Sequence, residues 1–264
     1  MSTIYYRPDG FARCIVQTLG APIQGDSATD TFTADAAHGL AVGDTVAATA
    51  LGGGTGLALL TRYFVVNVAD ATHLKVSATR GGAAIALGTT TDMSLVPLIE
   101  TRLYLANKAS ADASTAEKKW EGDDSEIIKK SITGMSVQID VDAVNASADA
   151  LIFGKTAITG ALPGGITSGT GFGGGNHRRG VSAGVRLEAS AVKVTDGVES
   201  NVTWCRWYPQ GTLNPMKPGE LGTSAKLGVT SYSYTPVRVT KDLLGVAIAG
   251  VSTDGEFYVE GELA

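Results

Sequence analysis

Apolar and polar residues alternate with a period of two along much of this chain, most cleanly over 135–144, MSVQIDVDAV. Met135, Val137, Ile139, Val141 and Ala143 fall on one side of an extended backbone, and Ser136, Gln138, Asp140 and Asp142 on the other, because successive strand side chains point to opposite faces. One side is built to pack and the other to meet water. Further strand signals lie at 12–18, 45–50, 62–68, 73–78, 100–106, 201–207, 226–235, 236–240 and 256–263, with turn clusters between them. In GVRLEASAVKV, 184–194, Val185, Leu187, Ala189 and Ala191 alternate while Val192 and Val194 sit on the opposite phase. A shift of one residue predicts a bulge or strong bend there.

The connecting segments have signals of their own. APIQGDSATD at 21–30 reads as a loop, and the polar, Ala- and Ser-rich stretch 107–126 reads as a long projecting loop between two strong strands. In 147–158, Ser147 can cap a short helix anchored by Ala150, Leu151, Ile152 and Phe153 and ending at Gly154. Residues 159–180 hold too much glycine for regular structure without a partner, and Pro209, Pro215 and Pro218 mark an irregular connection.

Composition sharpens the class. With 264 residues, 44% hydrophobic, 18% charged and 34 glycines, the chain is globular and turn-rich, which favours all-β. The Ala-, Gly- and Thr-rich stretch 25–96 reads as a small β module inserted into a larger β domain made of 1–24 and 97–264. A formal charge of -5 argues against clamping nucleic acid by neutralising phosphates. Cys14 and Cys205 form neither a disulfide framework nor a metal-ligand spacing, which fits a reducing compartment. The N-terminus lacks the apolar core of a secretory segment, and no apolar run approaches membrane-helix length. The expectation is a soluble protein made in the cytoplasm.

No catalytic centre assembles from the sequence. Gly180-Val181-Ser182-Ala183-Gly184 matches G-x-S-x-G, but a strand follows where a nucleophile elbow needs a helix, and His38, His73 and His177 all precede Ser182. Gly169, Gly171 and Gly174 fit a dinucleotide fingerprint without its βαβ context, and Asp149 replaces the first glycine of a P-loop ahead of Gly154-Lys155-Thr156. Asp140 and Asp142 are about 7 Å apart on one strand face, a spacing exposed acids commonly share. No histidine spacing supports a metal, and neither enzyme activity nor a cofactor is expected.

Two groups point to contacts instead. Lys118, Lys119 and Trp120, followed by Glu121, Asp123 and Asp124, place one large aromatic among charges of both signs. That combination suits an inter-subunit anchor, with a Trp folded back on its own domain as the alternative. His177, Arg178 and Arg179 beside a glycine tract suit a solvated loop or a subunit contact better than nucleic acid, since no aromatic platform accompanies them.

LYLANKASADASTAEKKWEGDDSE (103–126) followed by MSVQIDVDAV, then GVSAGVRLEASAVKVTDG (180–197) and RWYPQGTLNPMKPGELGTSAKLGVTSYSYTPVRVTKDLLG (206–245), resemble the major tail tube proteins of long-tailed bacteriophages, and 36–68 resembles small β modules inserted in phage structural proteins. The resemblance implies a mainly β fold: a tail-tube-like antiparallel β-sandwich or barrel with one short helix, plus an inserted all-β module on the exterior. It implies a structural virion protein of the phage tail. Hexameric rings stack into a conduit for DNA ejection, assembled in the host cytoplasm with tape measure, terminator and distal tail proteins as partners. DNA passes only transiently and no membrane is involved. By position, 107–126 is the loop that reaches the adjacent ring. Because a cationic wall would retard the polyanion, Gln138, Asp140 and Asp142 are expected to face the lumen. A head decoration or head–tail connector protein is the nearest alternative, and a carbohydrate-binding β-sandwich using Trp204, Trp207 and Tyr208 is another.

Overall fold

The computed structural model describes every residue except 1–3, 27, 53–54, 89–91, 105, 123–124, 143–145, 154–156, 160–167, 171–179, 215–229 and 264. The side chains of 5, 8, 116–122, 125–131, 146–147, 149, 157–159, 168–170 and 230 are likewise not described. The chain is mainly β, and its strands are β1 (Ile4–Leu19), β2 (Ile23–Asp26), β3 (Thr31–Thr33), β4 (Thr45–Leu51), β5 (Arg62–Val68), β6 (His73–Ser77), β7 (Met93–Leu103), β8 (Ala106–Gly122), β9 (Ser125–Val141), β10 (Ala157–Thr159), β11 (Ser168–Thr170), β12 (Val181–Thr195), β13 (Val198–Leu213), β14 (Thr230–Pro236) and β15 (Val259–Glu262). One helix, α1 (Ala146–Phe153), follows β9. Contacts divide the chain into two compact units, one of Met1–Val16, Thr101–Val239 and Asp254–Ala264, the other of Gln17–Glu100 and Thr240–Thr253.

The second unit is a closed antiparallel barrel of six strands in the order β2-β3-β6-β5-β4-β7, with β7 pairing back to β2 through Ile23↔Leu95 and Gln24↔Ser94. Strand alternation fills it: Tyr63 and Val65 of β5 and Leu74 and Val76 of β6 are buried, together with Phe32, Val46 and Leu95. Register shifts at Ala48/Ala50 and Val65/Asn67 bend the strands, as closure of a narrow barrel requires. Residues 21–30, expected as loop, contain β2. Its Gly and Asp residues are poor strand formers alone, and pairing with β3 and β7 overrides that preference.

Thr240–Thr253 joins the barrel rather than continuing a strand from β14. Asp242 is buried and accepts a hydrogen bond from the Val246 backbone N–H at 2.9 Å and from Arg62 Nε at 3.2 Å, with the Arg62 Nη2 contact completing an ion pair. The expected strand 236–240 is therefore absent. Val237 and Arg238 are exposed, and Val239 makes a single bridge to Glu256.

In the first unit the strand order is β1-β12-β13-β14-β9-β8, with β15 also pairing β13. Its core gathers Cys14 and Val16, Val137, Ile139 and Val141, Ala183 and Val185, Tyr208, Leu213, Tyr232 and Tyr234, and the helix residues Ala148, Ile152 and Phe153. Phe153 stacks on Tyr232 with centroids 6.4 Å apart. The helix packs through Ala148, Ile152 and Phe153, and Leu151, expected as an anchor, is 69% exposed because the 3.6-residue repeat turns it outward.

Two further expectations change here. β12 and β13 pair without interruption from Val185↔Tyr208 to Thr195↔Val198, and the register shift lies between Ala183 and Val185, not near Val192. Ala191 and Val194 are both buried although they lie on opposite phases, so the mixed phase in the sequence reflects burial on both faces. Asp196 and Gly197 close this hairpin with φ of 50° and 86°, the left-handed pair of a type I′ turn. Residues 107–122 and 125–126, expected as a loop, lie in paired strands: β8 pairs β9 from Ala106↔Val141 to Gly122↔Ser125.

Gly211 sets the closest approach in the first unit. A Cβ there would lie 2.6 Å from Tyr234 Cζ and 2.5 Å from the Thr235 carbonyl oxygen, while the Tyr234 hydroxyl donates to the Ala183 carbonyl at 3.0 Å. Gly211→Ala is expected to cost about 1–3 kcal/mol by overpacking, and Tyr234→Phe roughly 1 kcal/mol, both read from urea unfolding. In the barrel, Arg62→Ala strands the buried Asp242 carboxylate, with an expected loss of about 3–5 kcal/mol that Asp242→Asn in the same chain should largely restore.

Candidate functional site: a polar sheet face and open strand edges

Residues directly opposite in an antiparallel pair share a face, so the register of the first unit writes out its surface. Ser182 is opposite Thr212, and Thr212 opposite Thr235. Next along β14, Ser233 is opposite Gln138 and Ser231 opposite Asp140. Gln138 and Asp140 in turn are opposite Ser110 and Lys108, and Ser136 is opposite Asp112. These residues are exposed or half-buried, while the intervening row, Val181, Leu213, Tyr234, Val137 and Ala111, lies on the reverse face with Leu213, Tyr234 and Val137 in the core.

The face is thus a run of hydroxyls and one carboxamide across five strands, with Lys108, Asp112 and Asp140 as its strand-borne charges. Gln138 Nε2 donates to Asp140 Oδ1 at 2.8 Å. Asp142 is exposed at a bend just past β9. Gln138 and Asp140 therefore share one surface, but Lys108 stands across from Asp140, and the face is of mixed charge. Sequence reading missed Lys108 because it lay in the segment taken for a loop. Strand-period alternation of Ala109, Ala111 and Ala113 was the signal available.

At the sheet's end β8 pairs only β9, so the other edge of a strand of 17 residues carries no partner among the described residues. Lys118, Lys119, Trp120 and Glu121 lie on β8 near the hairpin end, where Trp120 is the register partner of Ile127. Their side chains, and Asp123, Asp124, His177, Arg178 and Arg179 altogether, lie outside the described residues.

A second charged region surrounds β15. Lys193 Nζ donates to Glu262 Oε2 at 2.7 Å and the Tyr6 hydroxyl donates to the same oxygen at 3.1 Å. The Lys193 bond, then burial against it and the Tyr6 bond, leaves the Glu262 carboxyl below its usual value, and the same Lys193–Glu262 bond raises the ammonium. Arg206 Nε donates to Glu260 Oε2 at 2.8 Å. Further in, Glu188 on β12 is fully buried between Arg13 and Arg186, the latter donating through Nε at 2.8 Å. A buried carboxylate is tolerable only with such partners.

The other candidates do not assemble. Ser182 lies within a strand register opposite Thr212, without the strand-turn-helix of an elbow. Tyr208 is fully buried and Trp204 packs on Tyr6 with ring centroids 4.4 Å apart, so Trp204, Trp207 and Tyr208 do not make an exposed stacking platform. Cys14 and Cys205 are buried and not joined in a disulfide, and burial pushes the Cys14 thiol up to about 12. Among the described residues no group of three or more side chains could hold a metal ion, and no helix is long and apolar enough to cross a membrane.

No family model and no curated protein matches the chain. Among solved structures, "Phage phi92 endosialidase" aligns over 99% of this chain at 12% identity with a TM-score of 0.20. The chain spans 57% of that one, and so low a score carries nothing about fold or function.

In the barrel, the Thr72 backbone N–H, the His73 side chain and the Thr72 hydroxyl hold Asp70 well below the usual carboxylate range. Asp70 and Glu262 are both depressed, so their stabilisation is present above the unfolded carboxyl values, near pH 4, and is lost as pH falls. The melting temperature is expected to drop between pH 6 and pH 3. Glu262→Gln should lower it at pH 6 and flatten part of the acid drop, which a calorimetric pH series would read.

Proposed function

We propose that this chain is a structural subunit of a bacteriophage tail tube, assembling into hexameric rings that stack into a DNA conduit. The observation that carries this reading is the 17-residue open edge of β8, continuous with a polar face whose reverse side is the core. An unpaired strand of that length is a template for another chain. Joining edges around a ring satisfies its backbone groups and gives a closed cylinder of the kind a tail tube needs.

The face beside that edge has the chemistry of a conduit wall. Hydroxyls and carboxamides hold water without offering phosphates a fixed counter-charge, and the acids on the face outnumber the single described lysine. A polyanion gains little by binding such a wall, since counterion release needs cationic contacts. Gln138, Asp140 and Asp142 are assigned to the lumen, and the β8–β9 hairpin end, with Lys118, Lys119 and Trp120, to contact between rings. The barrel is assigned to the exterior. Tape measure, terminator and distal tail proteins are the expected partners in the virion.

Negative-stain images of concentrated protein should show six-fold rings or tubes. Three-fold or five-fold particles would point instead to a capsid component and reject the tube. Asp140→Lys with Asp142→Lys should leave assembly intact and slow DNA release from reconstituted particles, and unchanged release would remove the luminal assignment.

A further inference from the structure

The two edges of β13 are covered unequally. One edge pairs β12 along nearly its whole length, from Val198 to Leu213. On the other, β14 takes residues 211–213 and β15 takes 204–207, and the Leu263 N–H donates to the Thr203 carbonyl at 2.9 Å. Among the described residues no strand pairs 198–202 on this second side. The N–H and C=O of one strand residue point to the same edge, and the edge alternates along the strand. The Thr203 carbonyl aimed at Leu263 therefore puts the backbone groups of Asn201 and Glu199 on the open edge, and those of Val202 and Ser200 on the β12 side.

A groove of about 520 Å³ opens at this edge, and its lining includes Asp9, Ser190, Asn201, Thr203, Glu262 and Leu263. Its two charged lining residues are both carboxylates. Glu262 is bonded to Lys193, whereas Asp9 is exposed on β1. Lys193 offsets Glu262 and Arg7 lies 3.6 Å from Glu199, so Asp9 is the carboxylate that the recess offers beside the open backbone groups.

We propose that this edge is a strand-addition site for an extended peptide segment bearing a basic side chain. The segment lies along 199–202, exchanges main-chain hydrogen bonds with Glu199 and Asn201, and places its Lys or Arg toward Asp9. Main-chain bonds supply the affinity and the recess supplies the selection, as in other recognition by strand addition. The inference does not rest on the tail-tube reading.

Amide hydrogen exchange by NMR tests it, with the pentapeptides Lys-Val-Lys-Val-Lys and Glu-Val-Glu-Val-Glu as probes. The basic peptide is expected to slow exchange at Asn201 and Glu199 and to bind at least about tenfold tighter than the acidic one, a difference of about 1.4 kcal/mol. Asn201→Pro removes an N–H from the open side only, which an edge tolerates. It should weaken binding at least about tenfold with no change in melting temperature. Asp9→Lys should abolish the preference for the basic peptide, and supplies the test if the proline variant fails to fold. Four results would overturn the proposal: strong protection of both amides without peptide, no change with either peptide, equal binding of the two, or protection that grows with protein concentration alone. The last would assign the edge to a second copy.

Discussion

The register of β9 against its two neighbours is the constraint on which the first unit depends. Val137 must lie opposite Tyr234 on one side and Ala111 on the other, and Ile139 opposite Tyr232 and Ala109. A slip of one residue would turn Val137, Ile139 and Val141 to water and bring Gln138 and Asp140 into the core. Tyr234 helps exclude that slip. Its hydroxyl is committed to the Ala183 carbonyl, and its ring occupies the space that Gly211 leaves by having no side chain. Hydroxyl rows, helix seat and open edge all inherit their positions from this alignment.

The two units treat strand edges in opposite ways. The barrel closes on itself through β2 and β7, so each of its strands has a partner on both sides. Among the described residues of the first unit, β8 has no partner along one side, nor does part of β13. Edges are a hazard unless shortened, charged or covered. β15 is short and carries Glu260 and Glu262, each held by a cation, which suits a strand that ends a sheet. β8 has no such brevity: it runs for 17 residues, and over 106–115 its small Ala and Ser side chains are interrupted by the charges of Lys108 and Asp112. The contrast is one of closure: the barrel's strands are paired on both sides, and among the described residues those of the polar unit are not all so paired.

How much of this was legible in the sequence follows from where local preference and tertiary pairing agree. Over 136–141 the alternation gave the buried side of β9, Val137, Ile139 and Val141, and its more exposed side, Ser136, Gln138 and Asp140, because both faces obey one period, while Ala143 lies outside the described residues. Arg62–Val68 was readable for the same reason, its β-branched and aromatic residues being bounded by turns. β8 was not, since an Ala-, Ser- and Lys-rich segment has no strand preference of its own and takes its conformation from the strand beside it. Ser231 and Ser233, Lys108 and Ser110 acquire meaning only through pairing, so the row structure of the face was beyond any single segment. The attachment of 240–253 to the barrel rests on Arg62 and Asp242, 180 residues apart, and nothing local to either announces it.

Glu188 shows how the remaining strands are held without strong apolar alternation. β12 offers small residues at Ala183, Ala189 and Ala191, whose burial contributes little per residue compared with Leu or Ile. A carboxylate buried at the centre of such a strand destabilises any register that fails to bring both guanidinium groups to it, because an unpaired buried charge costs several kcal/mol. Arg186 comes from the same strand and follows Glu188 wherever β12 goes. Arg13 comes from β1 and does not. The Arg13–Glu188 contact is therefore the part of the cluster that discriminates between registers of β1 on β12. By penalising registers that leave Glu188 unpaired, the cluster constrains β1 on β12 as Tyr234 and Gly211 constrain β14 on β13.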